Sequence, residues 1–218
     1  MTLRNVVVLV SGRGSNLQAL LTRAGAERWE TELGASIAAV VSNRAEAEAL
    51  EVARAHGVPV HLVAQKQFTS RAAFDEALAQ SIDGYAPALV VLAGFTRVLT
   101  PEFVRRYSGR LINIHASLLP SFPGLNTHQR ALDAGVRVHG ATVHFVSDEV
   151  DAGAIIAQAA VPVHAGDDEA SLAARVLQQE HQLLPRVVRR ILEGRVQCGG
   201  RRAVLKDIAP GELSLLAS

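Results

Sequence analysis

The 218-residue chain carries 22 basic and 21 acidic side chains spread along its length, a formal net charge of +1 that argues for neither nucleic acid nor a charged membrane surface as partner. An apolar share of 49% against 20% charged residues excludes the disordered class, and the single cysteine, Cys198, excludes an intrachain disulfide or a thiolate metal cluster. No apolar run reaches the roughly 18 residues of a membrane span, and residues 5–10 are too short a run for a signal peptide, so a cytoplasmic globular protein is expected.

Residues 6–10 form a β-branched run that ends in the turn Ser11-Gly12-Arg13-Gly14-Ser15-Asn16, after which Leu17, Leu20 and Leu21 fall at helical spacing. Residues 37–41 repeat the strand signal, residues 45–56 read as helix, and Gly57-Val58-Pro59 stops that helix before a short strand at 60–63. Ser70 is placed to cap a helix reaching Ile82, and residues 89–92 are a fully apolar strand. Thr100, Pro101 and Glu102 open the next helix, and residues 111–115 form the fifth strand. Strands alternating with helices predict a Rossmann-like, open, mostly parallel α/β sheet.

Beyond Pro123 the grammar changes. A helix is expected at 127–134, strands at 141–146 and 155–163 around a polar, exposed loop at 147–153, and a long amphipathic helix at 169–192 with Pro185 as a kink. A short strand is expected at 203–205. No internal repeat or low-complexity linker interrupts the chain, which reads as one domain over 1–218. Its first half (1–110) would bind a nucleotide phosphate, and its mixed second half (111–218) would carry the catalytic and co-substrate groups.

Three places hold residues suited to chemistry. The turn around Gly12 and Gly14 sets backbone N–H groups and a helix N-terminus where they would cradle a phosphate, although a tight turn without a ligand has the same sequence. It departs from the dinucleotide fingerprint, since the third glycine would fall at Leu17 and no acidic residue ends the second strand. In the fifth strand Asn113 and His115 stand two residues apart, facing one side with about 6.6 Å between Cα atoms. A histidine hydrogen-bonded in the core fits that pattern equally. Asp148-Glu149-Val150-Asp151-Ala152-Gly153 is an acidic loop that alone reads as a solvated turn. A carboxylate brought near His115 would hold its tautomer and stabilise the imidazolium. His128, His139, His144, His164 and His181 show no metal-ligand spacing, so no metal is assigned.

Taken in order, SGRGSNLQAL, LAGFTRVLTPEFV, INIHASLLPSFPG, HGATVHFVSDEVDAG and QQEH resemble the glycinamide ribonucleotide formyltransferases of purine synthesis over roughly residues 5–195. The resemblance implies the formyltransferase fold and formyl transfer from 10-formyltetrahydrofolate, a co-substrate, to the amine of glycinamide ribonucleotide. It implies Asn113, His115 and Asp151 as the catalytic trio and Gly14, Ser15 and Asn16 as the phosphate site, with Glu180 touching the ribonucleotide. It places Arg71, Thr96, Arg97, Val98, Leu99, Ser147 and Asp148 on the folate side, together with Asn113 and Asp151. Partners would be small molecules, with no nucleic acid or membrane, and the protein a monomer or homodimer. Four positions depart from the family: Ala116 for a usual proline, Asn126 for a histidine, Ala152 for a glycine and Thr96 for a methionine. Ala152 requires a negative φ or local strain if that glycine is left-handed. The 10-formyltetrahydrofolate hydrolases and the methionyl-tRNA formyltransferases share the trio but carry an extra domain at one end, which makes them the weaker expectations. A nucleotide-binding module without catalysis is a weaker expectation too, since it would use the glycine turn but has no need of Asn113, His115 and Asp151 together.

Overall fold

Val6, Val7, Val8, Leu9 and Val10 are all fully buried in the computed structural model, which describes residues 3–209 and 211–216. They form β1 (Arg4–Val10), and burial on both faces of consecutive residues marks a strand inside a parallel sheet. Each such side chain contributes about 1.5 to 3 kcal/mol on burial. β1 runs parallel to β2 (Ala35–Ser42) on one side and to β4 (Leu89–Leu92) on the other, and β2 runs parallel to β3 (Val60–Leu62). The strand order β3-β2-β1-β4 makes the carboxyl end of β1 a topological switch point.

The helices between these strands start where capping chemistry allows. Ser70 accepts from the Ala73 N–H at 3.1 Å and opens α4 (Arg71–Asp83), and Thr100 accepts from the Phe103 N–H at 3.4 Å ahead of Pro101 at the start of α5 (Pro101–Arg106). α1 (Ser15–Ala26) follows the glycine turn directly. The helix expected from residue 45 begins four residues later, as α3 (Ala49–Ala55), because the Ala49 N–H is taken by the Gly12 carbonyl at 3.1 Å. Before α3 comes α2 (Trp29–Glu32), a single turn seated by the buried Trp29, whose indole N–H donates to Glu27 at 2.9 Å.

The chain forms two compact units, Met1–Ile112 and Asn113–Ser218, and β5 (Leu111–His115) begins in the first and ends in the second. In the second unit, after α6 (Thr127–Asp133), β6 (Val138–Phe145) pairs antiparallel with β7 (Ile155–Pro162). β6 starts three residues earlier than expected because Val138 and His139 pair with Pro162 and Val161. α7 (Glu169–Leu192) packs on β6 and β7 behind a reciprocal cap, Asp168 accepting from the Ser171 N–H at 2.8 Å and Ser171 Oγ from the Asp168 N–H at 3.0 Å. Pro185, the residue at which a kink was expected, lies inside this one helix, and Leu183, Leu184, Val187 and Val188 around it are fully buried. A hairpin of β8 (Val196–Gly199) and β9 (Arg202–Leu205) follows, and β10 (Ser214–Leu216) pairs parallel to β7, so this half is mixed. Its core gathers Ala131, Ala141, Val161, Leu172 and Val176, with Ala116 and Phe122 packed against them. The architecture is mixed α/β with a mainly parallel sheet and a long C-terminal helix. No helix among the described residues is long and apolar enough to cross a membrane.

Candidate active site

In the first unit the turn after β1 is held by sterics. Gly14 has φ +81°, and a Cβ there would lie 2.6 Å from Ala49 Cα and 2.7 Å from its Cβ, so only glycine fits. The Gln18 N–H donates to the Gly14 carbonyl at 2.8 Å as the first bond of α1, which places the N-terminus of the helix at this turn. Asn16 is buried and Ser15 half-buried. The loop after β4 brings Thr96 and Val98 to the surface and buries Leu99. The Arg97 guanidinium lies over the Phe74 ring at 4.3 Å, and its Nη1 donates to Gln65 Oε1 at 3.3 Å. Arg71 stands exposed at the first position of α4.

The second unit brings the three expected side chains together. Asp151 Oδ2 lies 3.5 Å from His115 Nδ1 and accepts the Gly124 N–H at 2.8 Å. The opposite ring nitrogen, His115 Nε2, donates to the Phe122 carbonyl at 3.1 Å, since a carbonyl only accepts. Both nitrogens of His115 thus face oxygen acceptors. Phe122 sits at φ +54°, a costly conformation for a bulky residue, on the order of 1 to 3 kcal/mol. That conformation turns its carbonyl toward His115 while its ring stays in the core.

Asn113 reaches Asp151 through a residue to which the sequence reading gave no role. Asn113 Nδ2 lies 3.3 Å from His144 Nε2, His144 Nδ1 lies 2.9 Å from the Phe145 carbonyl, and His144 Nε2 is 3.8 Å from Asp151 Oδ1. The carbonyl requires Nδ1 to hold the proton, so Nε2 is bare and the Asn113 amide donates to it. Burial pushes the His144 pKa down, in keeping with a neutral ring. This hydrogen bond fixes the direction of the Asn113 amide and leaves its second N–H for another acceptor.

The acidic loop is only partly the exposed turn that was expected. Asp148, Glu149 and Val150 face solvent, but the Asp151 side chain is 11% exposed. Ser147 Oγ donates to the Glu149 carbonyl at 2.9 Å. The left-handed residue is Asp151, at φ +54°, and not Ala152, so alanine there is unstrained. Glycine is required one position later: a Cβ on Gly153 would meet the Phe145 carbonyl oxygen at 1.7 Å. Asn126 has φ +55°, which an asparagine tolerates, and Ala116 packs into the core of the unit. Glu180 is buried on α7.

Beside the trio lie further histidines. His139 is 1% exposed, and burial pushes its pKa down to about 4. It packs edge-on to Phe122 at 5.9 Å and to His128 at 5.3 Å, measured between ring centroids. No group of three or more histidine, cysteine or acidic side chains among the described residues is placed to hold a metal ion.

Residues 4–188 match the family model for formyl transferase. The chain is 49% identical over 193 residues to phosphoribosylglycinamide formyltransferase of Escherichia coli, covering 88% of this chain and 89% of the relative. The Haemophilus influenzae protein of the same name is 40% identical, covering 93% and 94%. Among solved structures, glycinamide ribonucleotide transformylase 1 from Symbiobacterium toebii superposes with a TM-score of 0.89 at 43% identity, covering 94% of this chain and 95% of that one.

Proposed function

Because the chain belongs to the formyl transferase family, we propose that it moves the formyl group of 10-formyltetrahydrofolate to the primary amine of glycinamide ribonucleotide, a step of purine biosynthesis. The observation that carries the reading is the meeting of Asn113, His115 and Asp151 within one compact unit, with His115 held on both nitrogens.

The chemistry needs donors and one proton carrier. The amine lone pair attacks the formyl carbon, the new C–N bond forms, and the carbonyl electron pair moves onto oxygen. The second N–H of Asn113 would stabilise that oxyanion, joined by a His115 N–H once it exchanges its present acceptor, the Phe122 carbonyl, for the new oxygen. When the intermediate collapses, the bond to N10 of the folate breaks and N10 takes a proton, while the attacking amine gives one up. His115 would relay that proton, with Asp151 compensating its positive charge. The transfer is direct, with no covalent intermediate on the protein.

Gly14, Ser15 and Asn16 are assigned to the ribonucleotide phosphate, which the N–H groups of a helix start at a switch point favour. Glu180 is assigned to the ribonucleotide as well. Arg71, Thr96, Arg97, Val98, Leu99, Ser147 and Asp148 are assigned to the folate, supported by the exposure of Thr96, Val98 and Asp148 at loop tips. The protein would work in the cytoplasm, as a monomer or homodimer. The deciding assay follows tetrahydrofolate release with and without glycinamide ribonucleotide. Release should depend on the amine; equal release in its absence would overturn the reading and point to a hydrolase.

A further inference from the structure

A chain of hydrogen bonds in the first unit joins the end of β1 to the loop after β4, and nothing in the proposed reaction uses it. The Thr96 N–H donates to Ser11 Oγ at 3.0 Å, and the Ser11 hydroxyl donates to Asn43 Oδ1 at 2.7 Å. Asn43 Nδ2 donates to Gln65 Oε1 at 3.0 Å, and the same oxygen accepts Arg97 Nη1 at 3.3 Å. Every donor in the chain points one way, toward Gln65 Oε1. Ser11 and Asn43 are 3% and 2% exposed, so reversing any one bond would leave a buried polar group unmatched. The backbone closes the same circuit, the Ser11 N–H donating to Gly94 and the Gln65 N–H to Asn43.

We propose that Asn43 and Gln65 are positioning residues for the folate-binding loop, holding the Thr96 backbone and the Arg97 guanidinium in place before the folate arrives. The proposal rests on the assignment of Thr96 to Leu99 to the folate. Arg97 has two anchors, the Phe74 face and Gln65 Oε1, and only the second is directional. Without Gln65 the guanidinium keeps its stacking partner but loses its orientation. Binding of a ligand to a loop that must first be ordered is weakened by the cost of ordering it, and that cost falls on KM for the ligand touching the loop.

The experiment compares steady-state kinetics of Gln65→Ala, Gln65→Glu, Asn43→Asp and Arg97→Ala in the full chain, with a thermal melt of each. Gln65→Ala should raise KM for 10-formyltetrahydrofolate about tenfold, the loss typical of one hydrogen bond to a charged group. kcat and KM for the ribonucleotide should stay within about twofold. Gln65→Glu should restore the folate KM, because a carboxylate oxygen accepts from Asn43 and Arg97 alike. Asn43→Asp keeps the size of the side chain but sets an oxygen against Gln65 Oε1. It should raise the folate KM as Gln65→Ala does, which supplies the test should the alanine variant fail to fold. Arg97→Ala separates the two ideas. If it leaves the folate KM unchanged, the folate assignment of the loop falls and the proposal with it. If it raises that KM while Gln65→Ala and Asn43→Asp do not, only the positioning role is overturned. A Gln65→Glu variant as impaired as Gln65→Ala would overturn it too, since side-chain shape and not the accepting oxygen would then be at work.

Discussion

The glycine turn after β1 and the cluster around His115 both present N–H groups to anionic oxygen in the proposed reaction, yet they are built from different material. The turn uses backbone N–H groups, and its geometry is set by what cannot be there, a Cβ at Gly14. The cluster uses side chains, and its geometry is set by hydrogen bonds from a second ring of groups: the Phe122 carbonyl, the Gly124 N–H and the His144 ring. A backbone site holds no titratable group and should bind its anion at any moderate pH. A side-chain site gains a proton carrier and becomes dependent on charge and pH. Substitutions at the two places should therefore fail in different ways: loss of folding at the turn, loss of turnover at the cluster.

The largest effect is expected in the cluster. Asp151→Asn keeps an oxygen for the Gly124 N–H but removes the charge facing His115. A drop in kcat of about 10² to 10³ is expected, the usual result of losing a preorganised group in such a site. Urea melts should show a folded protein. Near-normal turnover would reduce Asp151 to a turn residue.

At the turn, Gly14→Ala should act on folding. Its Cβ would press on the Ala49 backbone at φ +81°, and strain plus overpacking together cost about 2 to 4 kcal/mol. Adding Ala49→Gly removes the contact at 2.7 Å but not the one with Ala49 Cα at 2.6 Å, so denaturant melts of the double variant should show only partial recovery. Full recovery would mean that the backbone itself has room.

How much of each region was legible in the sequence follows from the same contrast. Double-sided apolar runs gave the parallel strands of the first unit directly, whereas Asn113, His115 and Asp151 were singled out together only through the family resemblance, since alone the histidine reads equally as core and the acidic loop as a solvated turn. Backbone partners have no such signature. Nothing in Phe122 announces a carbonyl turned to His115, and nothing in the segment from 45 to 48 announces that Gly12 would claim the Ala49 N–H and delay the helix. His144 was visible as a residue, but only the pairing of its Nδ1 with a carbonyl shows which nitrogen is left for Asn113. The short strands β8 and β10 were missed because most of their residues are exposed and no apolar period marks them.

A third expectation concerns stability in mild acid, to which the buried His139 of the second unit should respond. His139 has an ordinary value near 6.5 when unfolded and about 4 when buried, so between those values the unfolded chain binds a proton that the folded one refuses. Stability from this group is therefore complete above about 6.5, is lost as pH falls, and levels off below about 4, a total on the order of 3 kcal/mol. His139→Phe should flatten that part of the curve in urea melts between pH 7 and 4.5, and an unchanged slope would show that the ring is hydrated after all.

The smallest effect should come from His144, and it decides which histidine titrates in catalysis. If its Nε2 serves only to accept from Asn113, then His144→Gln supplies an amide oxygen in nearly the same place, and kcat should stay within about twofold. His144→Asn imitates the other nitrogen, keeping a donor for the Phe145 carbonyl while withdrawing the acceptor from Asn113. The Asn113 amide would then be free to rotate, and loss of one neutral hydrogen bond, about 1 kcal/mol, should lower kcat about fivefold. Because burial already holds the His144 pKa down, neither variant should move the pH-rate profile. A Gln variant that shifts the profile would make His144, 3.8 Å from Asp151, the partner of the carboxylate and transfer the proton-carrying role from β5 to β6.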